Sequence, residues 1–398
     1  MYKKSELITV VLFCLTLAIL TVSFIVIPDK AFSEQENRDL EQMPQLDIEG
    51  VFEKEGEAKL DYFYQGLDGF MDSINVYYAD QFPMRDIFVR LKSGSELTLL
   101  KGENNGVLYS KNQLAVKDFN AYKSIVHITE ETDRVYLDSI SAQLGSVDAL
   151  AEKLSVPLVT VLPPRTVDIA DSAFAYDRPD GDKPFELMQG LSEKAGYIDT
   201  LSLLRPKYES GEYVYYRTDH HWTTAGAYYT YCEIMKKLGK EDKIIPRESF
   251  EIETIEGFSG TTAAKAGFPI YQRDELELWH LPDDDEYEIT ADGVTLDGFY
   301  NRDFLSKSDK YSVFLDGTHD FTEIKKKGEG ERETLLVAKD SFANCLIPFL
   351  AREFDIIAVN LATNTLLSAF AENYGADAVL IVFNTENIIT TGHLGNLR

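Results

Sequence analysis

Two short stretches of the chain hold the residue types that nucleophilic catalysis needs. In Arg217-Thr218-Asp219-His220-His221-Trp222-Thr223-Thr224-Ala225-Gly226, two of the six histidines sit beside a carboxylate. If that loop is extended, side chains two apart point to the same side, so Asp219 could hold one ring nitrogen of His221 and leave the other for proton transfer. A structural hydrogen bond between the same groups is the alternative that the spacing leaves open. In Leu336-Val337-Ala338-Lys339-Asp340-Ser341-Phe342-Ala343-Asn344, an apolar run ends and a helix is expected to begin around Ser341. A serine at that junction lies at the carboxyl edge of a sheet, where open α/β folds place ligands and helix N–H groups can meet an oxyanion. N-capping is the plain alternative for it. Taken together the stretches say more than either alone. A nucleophilic serine needs a base and the base needs an orienting carboxylate; Asp219, His221 and Ser341 supply one of each, which points to acyl transfer.

Such a set requires elements that bring residue 219 and residue 341 together. Glu130–Leu154 has the pattern of a long amphipathic helix, and Val156–Leu162 (VPLVTVL) that of a buried strand stopped by Pro163-Pro164. Later, Thr334–Ala338, Phe354–Val359 and Ala376–Phe383 read as strands, and Phe342–Arg352 and Thr365–Asn373 as helices. Strands alternating with helices through tight loops predict parallel pairing and a sheet covered on both faces. Thr223 or Thr224 is placed to cap a helix over Ala225–Leu238. Residues 245–330 hold short alternating segments with Asp/Gly turns and predict a β-hairpin insertion. Upstream, Ser33–Pro44 reads as a polar strap. Residues 52–80 carry a helical stripe of Tyr62, Leu67, Phe70, Ile74 and Tyr77 expected to be packed, ending near Phe82-Pro83. The expected divisions are 1–27, 28–129 and 130–398.

The strings TDHHWT, SEQENRDLEQMP, YADQFPMRD and KDSFAN resemble the DHHW family, named for its Asp-His-His-Trp string. That family is similar to the SGNH-hydrolase-like domains of bacterial alginate O-acetyltransferases, and the matching strings run from residue 33 to about residue 345. The resemblance implies an α/β fold with an SGNH-hydrolase-like parallel sheet flanked by helices. It also implies that Asp219 orients, His221 is the general base and Ser341 the nucleophile, with His220 a neighbour. It further implies export, a polysaccharide or cell-wall glycan as substrate, and a membrane-bound O-acyltransferase supplying the acyl group. Where SGNH enzymes carry Gly-Asp-Ser, this chain has Lys339-Asp340-Ser341. Only fifteen residues follow Phe383, so glycan recognition is expected from the domain's own loops. Trp222, Arg165 and Asn344 are the candidates for touching substrate, Asn344 as an added oxyanion donor. Core packing, pairing with a carboxylate and satisfaction of helix backbone are their respective alternatives.

Composition narrows the classes. The 398 residues are 44% hydrophobic, enough for a sizeable core. Lys+Arg number 39 against 67 Asp+Glu, a net charge of −28, which repels phosphate backbones and excludes a nucleic-acid partner. Cys14, Cys232 and Cys345 make neither a disulfide framework nor a cysteine zinc site. Asp283, Asp284, Asp285 and Glu286 lack the ligand spacing of a calcium loop and read as a solvated turn. Leu7–Ile27 is 21 residues without a charge, long enough to span the hydrocarbon core. With Lys3 and Lys4 before it, the expectation is a single-pass anchor in the cell membrane with its N-terminus in the cytoplasm. A cleaved signal peptide is the competing reading.

These readings converge on a membrane-anchored O-acetyltransferase or acetylesterase acting on an extracytoplasmic glycan through a Ser-His-Asp triad, without a cofactor. A non-catalytic SGNH-like glycan-binding or scaffold protein is the alternative. A metal-dependent deacetylase with Asp219, His220 and His221 as zinc ligands is a further one. His127, His280, His319 and His393 stand without partners at metal or triad spacing, and His319 is kept as a possible neighbour of the site.

Overall fold

The computed structural model describes residues 4–36, 38–46, 57–116, 130–174, 181–267, 272–328 and 330–398. His127 and the expected division at 129 lie outside those residues. Two compact units are distinguished, Met1–Lys101 and Gly102–Arg398.

The first unit contains helices α1 (Lys4–Val26), α2 (Glu57–Asp80) and α3 (Arg85–Thr98). Within α1, Glu6–Val26 is long and apolar enough to cross a membrane, a property that an anchor shares with a signal sequence. The hydroxyls of Thr16 and Thr21 donate to the Leu12 and Leu17 carbonyls at 2.9 Å, which satisfies them without water. The strap that follows is tied down by charge. Phe32–Ser33 pairs antiparallel with Arg38–Asp39, and the buried Asp80 carboxylate at the end of α2 accepts from the Arg38 guanidinium at 2.9 and 2.5 Å and from the Glu41 N–H at 2.9 Å. The helical stripe of residues 52–80 is a helix from Glu57 onward, and its packing is graded, with Leu67, Phe70 and Ile74 partly buried. Tyr77 is buried whereas Tyr62 is exposed.

The second unit is built on an eight-stranded sheet. In chain order its strands are β1 (Leu158–Val161), β2 (Tyr197–Ile198), β3 (Tyr287–Ala291), β4 (Val294–Leu296), β5 (Phe321–Lys326), β6 (Thr334–Lys339), β7 (Asp355–Asn360) and β8 (Ala378–Val382), and across the sheet they run β4-β3-β5-β7-β6-β8-β1-β2. From β7 to β2 every pairing is parallel, as the strand–helix alternation predicts. β5, β3 and β4 extend the sheet beyond β7 with antiparallel pairings. Residues 245–330 therefore divide. β3, β4 and β5 join the central sheet, whereas Glu251–Phe258 and Asp274–His280 form a separate antiparallel pair.

Strands β6 and β8 read TLLVAK and AVLIV, and apart from Thr334 every position is buried, which is why they lack alternation. A single core joins them to Ile140, Leu144, Val147 and Ala151 of helix α4 (Glu130–Lys153) and to Ala227, Tyr231 and Ile234 of helix α5 (Thr224–Lys237), apolar positions at helical spacing. The chain leaves β6 for β7 on one side and then crosses to β8 on the other. The carboxyl end of β6 is thus a topological switch point, where such sheets open a crevice.

Candidate active site

Lys339 ends β6, and Asp340 and Ser341 follow at the crevice. Asp340 holds this turn from both sides. One carboxylate oxygen accepts the Phe342 N–H at 3.0 Å, and the other accepts the Asn384 N–H at 2.7 Å and the Asn387 side-chain amide at 2.9 Å, tying the end of β6 to the loop after β8. Burial pushes the Asp340 carboxyl up, and the three donors and Lys339 offset only part of that. Ser341 is left half-buried at the start of a short 3-10 turn, Ser341–Ala343.

The histidine loop is a tight hairpin. Tyr215 bridges Trp222, the Tyr216 N–H donates to the His221 carbonyl at 3.2 Å, and the Thr223 N–H donates to the Val214 carbonyl at 3.0 Å. Thr223 then caps α5, its hydroxyl accepting the Gly226 N–H at 3.2 Å. Gly226 is required where it stands, because a Cβ there would lie 2.4 Å from the Val214 carbonyl oxygen. The sequence reading placed Asp219 and His221 side by side through an extended backbone. The observed cause is different, since Asp219 Oδ1 accepts the backbone N–H of His221 at 3.0 Å, the local closure that short carboxylate side chains make with the residue two further on.

The same Oδ1 accepts from His221 Nδ1 at 2.6 Å, and His221 Nε2 lies 2.8 Å from the Ser341 hydroxyl. Asp219 and His221 are 1% and 4% exposed, so the chain of bonds is shielded on one side and opens at Ser341. Asp219 Oδ2 accepts the N–H of Thr261 at 2.8 Å and its hydroxyl at 3.0 Å. Burial pushes the Asp219 carboxyl up, but the adjacent His220 and His221 rings and these donors outweigh it and hold the group well below the usual carboxylate range. An ionised Asp219 accepts on both oxygens, fixing the proton of neutral His221 on Nδ1 and the lone pair on Nε2, facing the serine hydroxyl. This arrangement can draw the proton from Ser341 as its oxygen attacks a carbonyl carbon, and return it to a leaving group.

Several residues fix the loop. The Asp274 carboxylate accepts from the Arg217 N–H at 2.9 Å, the Thr218 N–H at 2.7 Å, the Thr218 hydroxyl at 2.5 Å and the Tyr213 hydroxyl. Gly260 packs so closely on Asp219 that a Cβ would sit 2.2 Å from the Asp219 Cβ. Tyr311 stacks on His221 with ring centroids 3.8 Å apart and an interplanar angle of 9°, a face on which an imidazolium is favoured. Its hydroxyl donates to the Ser341 carbonyl at 3.3 Å. Asp274, Gly260, Thr261 and Tyr311 were not read from the sequence. Only the SGTT string at 259–262, a helix-start signal, could have drawn attention to any of them.

Trp222, Asn344, Arg165 and His319 each have other partners. Trp222 is fully buried, its indole N–H pointing to the Phe342 carbonyl at 3.0 Å and to Cys345 Sγ at 3.2 Å. Asn344 is buried as well. Its amide donates to the Gly317 carbonyl at 3.0 Å and its oxygen accepts from Lys339 Nζ at 2.7 Å. Arg165 makes a buried two-pronged pair with Asp168, at 2.7 and 2.6 Å, and lines a cleft with Thr166, His220, Phe342, Asn384 and Glu386. His319 bonds Asp292 and the Leu315 carbonyl, both at 3.1 Å.

Asp219, His220 and His221 offer nitrogen and oxygen atoms within 4.8 Å of one another, which is close enough for a metal ion. The donor set does not fit one well. The two Asp219 oxygens already take four hydrogen bonds, and both His221 nitrogens are engaged.

Residues 192–360 match the model of the family described as DHHW protein, a span that includes Asp219, His221 and Ser341. The likeness read from TDHHWT holds there. A crystal structure of a DHHW family protein from Eubacterium siraeum matches with a TM-score of 0.54 at 20% identity, over 74% of this chain and 97% of that one. The structure of Bacillus cereus PatB1 matches with a TM-score of 0.58 at 17% identity, over 72% and 98%. PatB1 with a sulfonyl adduct matches with 0.57 at 16% identity, over 73% and 100%. At such identities the likeness is one of fold, a mixed α/β unit around a mostly parallel sheet. No curated protein matches the chain.

Proposed function

From a chain that carries the DHHW-family region, we propose an SGNH-hydrolase-like O-acyltransferase or carbohydrate esterase that passes an acetyl group through Ser341. The observation that carries this reading is the run of hydrogen bonds from Asp219 through His221 to Ser341, at 2.6 and 2.8 Å. Ser341 Oγ attacks the acetyl carbonyl carbon while His221 Nε2 takes its proton. The donor's leaving oxygen departs with that proton, and an acyl-serine is left. In the second half, a hydroxyl of the acceptor gives its proton to His221 and attacks the acyl carbon, and the Ser341 Oγ–carbon bond breaks with reprotonation of the serine. Asp219 keeps the imidazole in the required tautomer and stabilises the imidazolium, and the Tyr311 face adds to that.

The acceptor is read as a polysaccharide or cell-wall glycan outside the cytoplasm, with α1 as a single-pass anchor and a membrane-bound O-acyltransferase as the source of acyl groups. These three points rest on the family likeness and the N-terminal apolar helix. The test is turnover of a small acetyl ester by the full-length protein with and without a glycan acceptor. Release that Ser341→Ala abolishes supports the reading. Acetylated glycan as product assigns transfer, and acetate alone assigns hydrolysis. Ester turnover that Ser341→Ala leaves intact rejects the reading.

A further inference from the structure

His220 is an imidazole that the acyl-transfer steps above leave unused, and its hydrogen bonds fix its protonation pattern. The Thr261 hydroxyl has one hydrogen, which it donates to Asp219 Oδ2 at 3.0 Å. In its 2.9 Å contact with His220 Nδ1 the hydroxyl oxygen must therefore accept, and the ring must carry its proton on Nδ1. Neutral imidazole protonated there has its lone pair on Nε2. Burial, and then the adjacent His221 ring, lower the His220 pKa against the pull of Asp219, so the neutral form prevails at neutral pH. Among the described residues no hydrogen-bond donor reaches Nε2.

The two rings, with centroids 3.9 Å apart, are thus set alike. Each directs an Nδ1–H into the Asp219–Thr261 pair and keeps a lone pair on Nε2. That of His221 meets Ser341, whereas the partly exposed His220 lines the cleft with Arg165, Thr166, Phe342, Asn384 and Glu386. We propose that His220 Nε2 accepts a hydrogen bond from a second hydroxyl of the acyl acceptor, beside the hydroxyl that His221 activates. This rests on the acyl-transfer reading above and deepens it. The site then selects a vicinal diol, as on a sugar ring, over water or a simple alcohol. His220 exchanges no proton in the reaction; it holds the acceptor while the acyl–Ser341 bond breaks and the new ester bond forms.

The test uses the full-length protein with p-nitrophenyl acetate as donor and methyl glucoside or ethanol as competing acceptors, and reads the ratio of transfer to each. A site built to bond a substrate hydroxyl discriminates strongly against analogues that lack it. The expected wild-type ratio favours the glucoside at least about tenfold at equal hydroxyl concentration. His220→Asn keeps a donor toward Thr261 but has no acceptor in place of Nε2, and should bring the ratio close to one and raise the KM for the glucoside. His220→Gln, whose amide oxygen reaches further, should restore part of the preference. An unchanged ratio in both variants overturns the inference and leaves the acyl-transfer reading standing. If neither variant folds, wild type with deoxy analogues of the glucoside decides, because removal of the vicinal hydroxyl should lower transfer about tenfold and no change overturns the proposal. Wild type that forms no acetyl-Ser341 overturns the acyl-transfer reading and this inference with it.

Discussion

The indole N–H of Trp222 donates to the carbonyl of Phe342 at 3.0 Å, joining the hairpin that carries the imidazole to the turn that carries the alcohol. The two rings also meet edge-to-face, 5.3 Å between centroids. The partners are 120 residues apart in sequence, so their spacing depends on such rigid, buried contacts. Trp222→Phe keeps an aromatic ring and deletes the donor. It should cost about 1–2 kcal/mol of stability and leave the Phe342 carbonyl without the indole N–H. Acyl transfer should fall by roughly ten- to hundredfold, because small misplacements at a reacting pair are expensive. Denaturant unfolding and initial rates measure the two effects, and a full rate in this variant contradicts the bridging role.

Gly260 tests the support behind Asp219. Its backbone approaches the aspartate so closely that Gly260→Ala must displace the carboxylate or the loop. The expected result is at least about a tenfold loss of activity, since the base loses its orienting partner. Activity equal to wild type would mean that the Asp219 position does not matter to the reaction.

Asp274 accepts two backbone N–H groups and two hydroxyls from Tyr213–Thr218. Burial pushes its carboxyl up against the pull of those donors. Asp274→Asn replaces one acceptor oxygen by an NH2 that faces donors. A loss of about 1–3 kcal/mol in stability is expected, with a fall in activity that follows the disordered loop. Thermal unfolding and ester turnover check this; a variant as stable as wild type counts against the cradle.

Lys339 gives a pH prediction outside the reacting groups. It is 1% exposed, and burial pushes its ammonium down to about 8 despite the nearby Asp340 and Asp292. Between about pH 8 and the ordinary lysine range near 10.4, the unfolded chain holds a proton that the folded chain has lost. The unfolded state binds more protons there, so stability rises with pH across that window. Relative to Lys339→Met, which lacks the group, wild type should gain on the order of 2–3 kcal/mol from pH 8 to pH 10.5. A difference that stays flat across the window contradicts a buried, charge-bearing Lys339.

Much of the frame is legible in the chain itself, and the reason differs from element to element. TLLVA and ADAVLIVF lack alternation because both faces of β6 and β8 are covered, so apolar runs alone mark them as buried strands. The cap before α5 is equally local, a threonine ahead of good helix formers. By contrast, the loop in which Asp219 closes on His221 is held by Asp274 and Gly260, which come from a strand and a turn downstream, and no local pattern announces that they meet this loop. Asn344 and Arg165 show the same limit. Their types suit substrate binding, yet their observed partners are Lys339 and Gly317 in one case and Asp168 in the other, choices that only the folded chain makes. The stripe of α2 is legible as a helix but the exposure of Tyr62 is not, since helical periodicity gives a face but not what covers it.

The most direct test of the central claim is to trap the intermediate. After brief reaction of the full-length protein with an activated acetyl ester and acid quench, mass spectrometry of the peptide containing Ser341 should show one added acetyl group on that serine. His221→Ala should lose the adduct and Asp219→Asn should slow its formation by roughly a thousandfold or more. Acetylation that bypasses Ser341, or that proceeds equally fast without the His221 imidazole, would contradict the account.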